Sequence, residues 1–135
     1  MGEIVILAAL ETEFFNSRQL RHRIYYTGIG KVNSSRVTTQ LILTERPNLI
    51  INVGTAGTLK REMFGQVFGI QEVVERDMMA EPLAPRGTVP LSTQEPLLKS
   101  DFGTARCTTG DLFVTAKDPW LIENSVDLVD MGFSQ

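Results

Sequence analysis

The chain has 135 residues, 42% hydrophobic and 21% charged, a composition that excludes a disordered or fibrous protein. A chain of this length buries roughly two thirds of the surface it would expose when unfolded, so a single domain spanning residues 1–135 is expected. The formal charge is −3, and the only dense basic group is Arg18, Arg21 and Arg23, which argues against a nucleic-acid partner.

Ile4 to Leu10 opens the chain as an apolar run. It follows Glu3 rather than a basic region and leads into Glu11 and Glu13, so it reads as a buried first strand rather than an export signal. Tyr25 to Ile29 is a second, shorter strand candidate that overlaps Gly28-Ile29-Gly30-Lys31. Those glycines form neither a Walker loop, for which Tyr25 would have to be Gly and Val32 Ser or Thr, nor a dinucleotide fingerprint, for which Asn33 would have to be Gly. A tight strand-to-helix turn is the simpler role. Asn33-Ser34-Ser35 matches the glycosylation sequon and, with no export signal, is read as chance.

Val37, Leu41 and Ile42 recur at helical spacing in Val32 to Glu45, and Pro47 marks the stop. Leu49 to Val53 is a continuous apolar run of the kind found in strands buried on both faces. Val67 to Val74 reads as a strand interrupted by Gly69 and Glu72. Met78 to Gln94, with Pro82, Pro85 and Pro90, reads as a long loop or a weakly ordered excursion. Arg106 to Thr109 is a short strand candidate, Ala116 to Asn124 a helix and Val126 to Met131 a last buried strand. Alternating buried strands and helices point to an open α/β sheet with right-handed crossovers.

Cys107 and His22 are each alone, so an intrachain disulfide, a thiolate metal cluster and a His-His metal site are excluded, and neither a metal nor a cofactor is expected. Cys107 reads as a small core residue, and acid/base chemistry falls to carboxylates. No apolar run approaches the roughly 18 residues of a membrane span, so no membrane partner and a cytoplasmic location are expected. In open α/β sheets ligands gather at the carboxyl ends of the strands. Those ends carry Glu11 and Glu13, then Gly54-Thr55-Ala56-Gly57, then Gly110-Asp111-Leu112-Phe113, then Met131-Gly132. Taken singly, such glycines commonly just turn the chain and such glutamates commonly start a solvated helix.

Leu7-Ala8-Ala9-Leu10-Glu11-Thr12-Glu13, Thr27-Gly28-Ile29-Gly30-Lys31-Val32, Ile51-Asn52-Val53-Gly54-Thr55-Ala56-Gly57, Gly110-Asp111-Leu112-Phe113-Val114 and Val129-Asp130-Met131 occur in that order. Together they resemble successive landmarks of the nucleoside phosphorylase/nucleosidase superfamily, in particular the 5'-methylthioadenosine/S-adenosylhomocysteine nucleosidases. The resemblance implies a three-layer α/β sandwich with a mixed, mainly parallel sheet lacking its last part. It implies a purine nucleoside or adenine bound at strand ends, and a homodimer in which partner residues complete each site. Carried over position by position, Glu13 orients or deprotonates the attacking water. Thr55, Ala56 and Gly57 line ribose and base, Phe113 stacks on the purine, Val114 offers its backbone to the base edge, and Met131 packs beneath the ribose.

Two departures from the family pattern bear on activity. The family continues after Asp130-Met131 with a Glu that grips the ribose hydroxyls, where this chain has Gly132. Asp130 stands two positions early and shares that residue's strand face but not its place. The family's purine-protonating Asp belongs to a later Ser-Asp motif beyond Gln135, and Ser100-Asp101 precedes the Phe113 landmark and reads as a turn. The expected activity is hydrolysis of a purine nucleoside with water as nucleophile. The alternatives are a noncatalytic nucleoside-binding protein, or a phosphorylase, which needs cations where Glu11 and Glu13 stand. A flavodoxin-like module accounts for the alternating pattern but not for the five ordered loops. A missing late strand is expected to expose sheet edge and to strengthen self-association.

Overall fold

A computed structural model describes residues 3–13, 20–115 and 117–131. The described residues divide into two compact units, one ending at Thr55 and one running from Ala56 to Met131.

The first unit is a three-stranded parallel sheet in the order β2-β1-β3, with β1 at Ile4–Ala8, β2 at Arg23–Tyr26 and β3 at Leu49–Asn52. Helix α1, Lys31–Glu45, connects β2 to β3. β1 is the central strand and its apolar run is buried from Val5 to Ala8. Val5, Leu7 and Leu41 form the core, with Tyr25, Val37 and Ile50 packed against them. Val37 and Leu41 lie four residues apart on one helix face, whereas Ile42 is rotated by about 100° and is exposed. The run at β3 does not imply burial on both faces: Ile50 packs inward while Leu49 and Ile51 remain 51% and 40% exposed, as strand alternation requires.

Two boundaries differ from the sequence reading for identifiable reasons. β1 stops at Ala8, not Leu10, because the next two amides are bound by a carboxylate described below. β2 occupies Arg23–Tyr26, not Tyr25 to Ile29. The Thr27 and Gly28 amides still reach the Ala8 and Ala9 carbonyls, after which Gly28 and Gly30 take φ of 81° and 99° and turn the chain into α1. Asn33 caps this turn internally, its Nδ2 donating to the Ile29 carbonyl at 2.8 Å. Arg23 pairs with Glu3 and Glu45 on the surface, so the basic group carries no free patch at that position.

The second unit holds a five-stranded mixed sheet in the order β4-β8-β7-β5-β6. Its strands are β4 at Gly57–Thr58, β5 at Ile70–Glu75, β6 at Leu97–Lys99, β7 at Ala105–Thr109 and β8 at Leu128–Asp130; the short helix α2, Pro119–Glu123, precedes β8. β5-β7 and β7-β8 pair in parallel, and only the outer strands β4 and β6 run antiparallel. Ala105, Cys107 and Leu128 form its core with Met63, Phe68 and Ile70. Cys107 is the core residue expected, and burial pushes its thiol up to about 12.

Gly69 lies before β5 rather than inside it, because its backbone is crossed by Gly103; a Cβ on Gly103 would stand 2.0 Å from the Gly69 carbonyl carbon. Ser100 shapes that crossing. Its hydroxyl donates toward the Ile70 and Phe102 carbonyls and accepts from the Phe102 amide, so Ser100-Asp101 is a turn as expected. Residues 78–94 lack helix and strand but are tied down. Arg86 donates to the Arg76 carbonyl at 2.6 Å, pairs with Asp118 at 2.7 Å and lies 4.4 Å from the Trp120 ring centre. Asp118 also caps α2 by accepting from the Trp120 amide, which starts that helix later than the expected position 116, a residue outside the described set. No helix among the described residues is long and apolar enough to cross a membrane.

Candidate functional site

β1 and β3 run side by side in the same direction, so the segments that follow them emerge at one sheet edge. A single 3-10 turn at Glu11–Glu13 folds the chain back there and directs Glu13 to the backbone. Its Oε2 accepts from the Ala9 and Leu10 amides, both at 3.1 Å. Its Oε1 accepts from the Thr55 hydroxyl at 2.8 Å and the Thr55 amide at 3.2 Å. Glu13 and Thr55, two of the expected site residues, are thereby brought together. Gly54 passes close by, and a Cβ there would lie 3.5 Å from Oε1. Glu11 is exposed and holds no comparable position.

Desolvation by itself would raise the Glu13 pKa, but the Thr55 hydroxyl and the amides of Thr55, Leu10 and Ala9 donate to the charged form and bring it below the ordinary value. The group is an ionised acceptor at neutral pH. Each oxygen already takes two donors, which fills the roughly four lone-pair positions of a carboxylate. The Thr55 hydroxyl is the one donor of the four that can rotate away and admit a water.

The remaining expected residues lie in the second unit. Ala56 and Gly57 start it, with Gly57 paired to Val129 and its α-carbon facing the Val129 side chain. Met131 follows β8 and is half-buried. Phe113 is 80% exposed and Val114 half-buried, both in the loop after β7. Gly132 lies outside the described residues. No group of three or more His, Cys, Asp or Glu side chains among the described residues is placed to hold a metal ion.

Arg76 and Asp77, at the carboxyl end of β5, do not feature in the sequence reading. Arg76 is 4% exposed, and its guanidinium donates to three carbonyls, of Thr108 at 3.0 Å, Asp130 at 2.6 Å and Leu112 at 2.6 Å. Asp77 accepts from the Asp111 amide at 2.7 Å. The signal was available: a charged pair directly after Val73-Val74-Glu75 stands at a strand end like the others.

No family model matches the chain. It is similar to the 5'-methylthioadenosine/S-adenosylhomocysteine nucleosidase of Staphylococcus saprophyticus, with 43% identity over 54 residues, 40% of this chain and 22% of that protein. The matched segment is thus less than a quarter of that relative's length. A Helicobacter pylori structure of a variant of such a nucleosidase, with 5'-methylthioadenosine in its active site, superposes with a TM-score of 0.79 at 18% identity over 98% of this chain and 76% of that one. The chain has the nucleoside phosphorylase/nucleosidase fold. A futalosine hydrolase of the same organism shares this fold with a TM-score of 0.77 at 19% identity, covering 98% of this chain and 80% of that one. The resemblance to the nucleosidases and the mixed, mainly parallel α/β class are therefore borne out. The two structural relatives carry different names, one a nucleosidase and the other a futalosine hydrolase.

Proposed function

We propose that the chain is a purine nucleoside N-ribosyl hydrolase of the methylthioadenosine/S-adenosylhomocysteine nucleosidase type, with Glu13 as the water-activating group. The observation that carries this reading is the Glu13 carboxylate, whose charged form accepts from three backbone amides and the Thr55 hydroxyl at the ends of β1 and β3. An N-glycosidic bond breaks through a cationic, oxocarbenium-like ribose, which a nearby negative charge stabilises. The bond's electron pair leaves on the base, which takes up a proton from solvent, while the water oxygen bonds to the anomeric carbon and the water proton passes to the carboxylate and on to solvent. A water replacing the Thr55 hydroxyl at Oε1 would meet an acceptor already ionised, while the amides hold the carboxylate in place. Phe113 and Val114 are proposed to receive the base, Thr55, Ala56 and Gly57 to line it and the ribose, and Met131 to pack against the sugar.

Phosphorolysis is disfavoured by the same carboxylate, since an anionic nucleophile would meet a group held in its charged form. The test is adenine release from methylthioadenosine and from adenosylhomocysteine, with release of its base from futalosine alongside, each with and without phosphate. Release that does not depend on phosphate, with oxygen from labelled water in the sugar product, is the expected result. Phosphate-dependent release would overturn the choice of nucleophile. No release together with adenine-dependent thermal stabilisation would make the chain a binding protein. Sedimentation at micromolar concentration tests the accompanying proposal of a homodimer or larger self-association, which a monodisperse monomer would refute.

A further inference from the structure

An 80% exposed ring such as Phe113 has no packing to fix where it stands, so its position must come from the backbone that carries it. That backbone is held from one side by Arg76 and Asp77. The Arg76 guanidinium, almost fully buried, takes the carbonyl of Leu112, the residue before Phe113, and with its other terminal nitrogen the carbonyls of Thr108 and Asp130. The Asp130 carbonyl also accepts from the Gly110 amide at 3.2 Å, so the end of β8 and the start of the loop share one acceptor. Asp77 binds the Asp111 amide one residue further along.

Gly110 supplies an independent sign that the loop is built against this pair. A Cβ there would lie 3.0 Å from the Arg76 guanidinium carbon and 3.1 Å from the Asp77 carboxyl carbon, too near for either to keep its place. The pair is itself anchored: the Arg76 amide donates to the Thr109 carbonyl at 2.9 Å, and the Arg76 carbonyl accepts from Arg86, which is locked to Asp118 and Trp120. A planar guanidinium with several fixed donors can bridge three carbonyls; an ammonium cannot hold the same three in one plane.

We propose that Arg76 is the positioning residue of the base-binding segment, joining the Leu112 and Asp130 carbonyls in one grip and so setting the spacing between the Phe113-Val114 backbone and Met131. This rests on the reading of Phe113 and Val114 as base contacts. Arg76 touches neither base nor sugar and acts through the loop.

The test compares the full-length chain with its Arg76→Met and Arg76→Lys variants by amide hydrogen exchange, by adenine affinity and by steady-state kinetics on methylthioadenosine. In Arg76→Met, exchange at residues 110–115 is expected to rise about tenfold or more while α1 and β1 keep their protection. Adenine affinity is expected to fall about tenfold, and kcat/KM to fall mainly through KM. Arg76→Lys restores part of each effect, and carries the test by itself if the Met variant does not fold. A folded Arg76→Met variant with unchanged exchange at 110–115 and unchanged adenine affinity would overturn the proposal. If the unaltered chain binds no adenine, the reading of Phe113 and Val114 fails, and exchange at 110–115 still decides whether Arg76 holds that segment.

Discussion

Replacing Thr55 by Val removes the 2.8 Å hydroxyl donor from Glu13 Oε1, keeps nearly the same shape and leaves the Thr55 amide in place. A hydrogen bond to a charged group contributes roughly 1.5–3 kcal/mol when well desolvated. Thr55 is exposed and Glu13 only half-buried, so screening by water reduces this to roughly 0.5–1.5 kcal/mol. In a chain of 135 residues that corresponds to a fall in Tm of roughly 2–6 °C. The Glu13 pKa is lower in the folded chain than in the unfolded one, so its ionised form adds stability above the ordinary carboxylate pKa, and that stability is lost as pH falls through the folded value. Thr55→Val moves the folded value back up. The gap in Tm between variant and unaltered chain is therefore widest near pH 7 and shrinks by pH 3, which calorimetry at the two pH values measures. An equal gap at both would refute the assignment of this bond to an ionised Glu13.

Three further outcomes follow from the same geometry. Phe113→Ala should alter Tm by less than about 2 °C, since the ring is exposed, but weaken adenine binding by roughly tenfold or more through lost stacking; unchanged affinity by titration calorimetry would exclude the ring from the base site. Gly103→Ala combines a φ of 86° with a Cβ driven onto the Gly69 backbone and should destabilise by more than about 3 kcal/mol in urea titrations, so a midpoint close to that of the unaltered chain would contradict the close crossing. The Cys107 thiol, buried and pushed up to about 12, should react with an aromatic disulfide reagent at pH 8 only as the chain unfolds; prompt labelling of the folded protein would show it accessible.

Much of this fold was legible because burial writes itself into local patterns. β1 reads as a strand since Val5 to Ala8 are buried on both faces, and α1 reads as a helix since Val37 and Leu41 fall on one face and Pro47 ends it. The outer strands of the five-stranded sheet were not legible. β4 is two residues long and β6 three, and their pairing depends on partners distant in sequence. The early end of β1 has a cause no local pattern shows, namely a side chain four residues ahead that binds the amide after the strand. At the candidate site, the strand-end rule singles out Glu13 and Thr55, whose contact spans 42 residues of sequence. The same rule extends to Arg76 at the end of β5, but only the three-dimensional arrangement reveals three carbonyls converging on it.

The most direct test of the central claim is single-turnover adenine release from methylthioadenosine by the unaltered chain and by Glu13→Gln, with adenine affinity measured for both. If Glu13 activates the water, the substitution lowers the rate by roughly a hundredfold or more and changes adenine affinity little. Equal rates in the two proteins, with adenine bound equally well, would contradict the account and move the catalytic role away from Glu13.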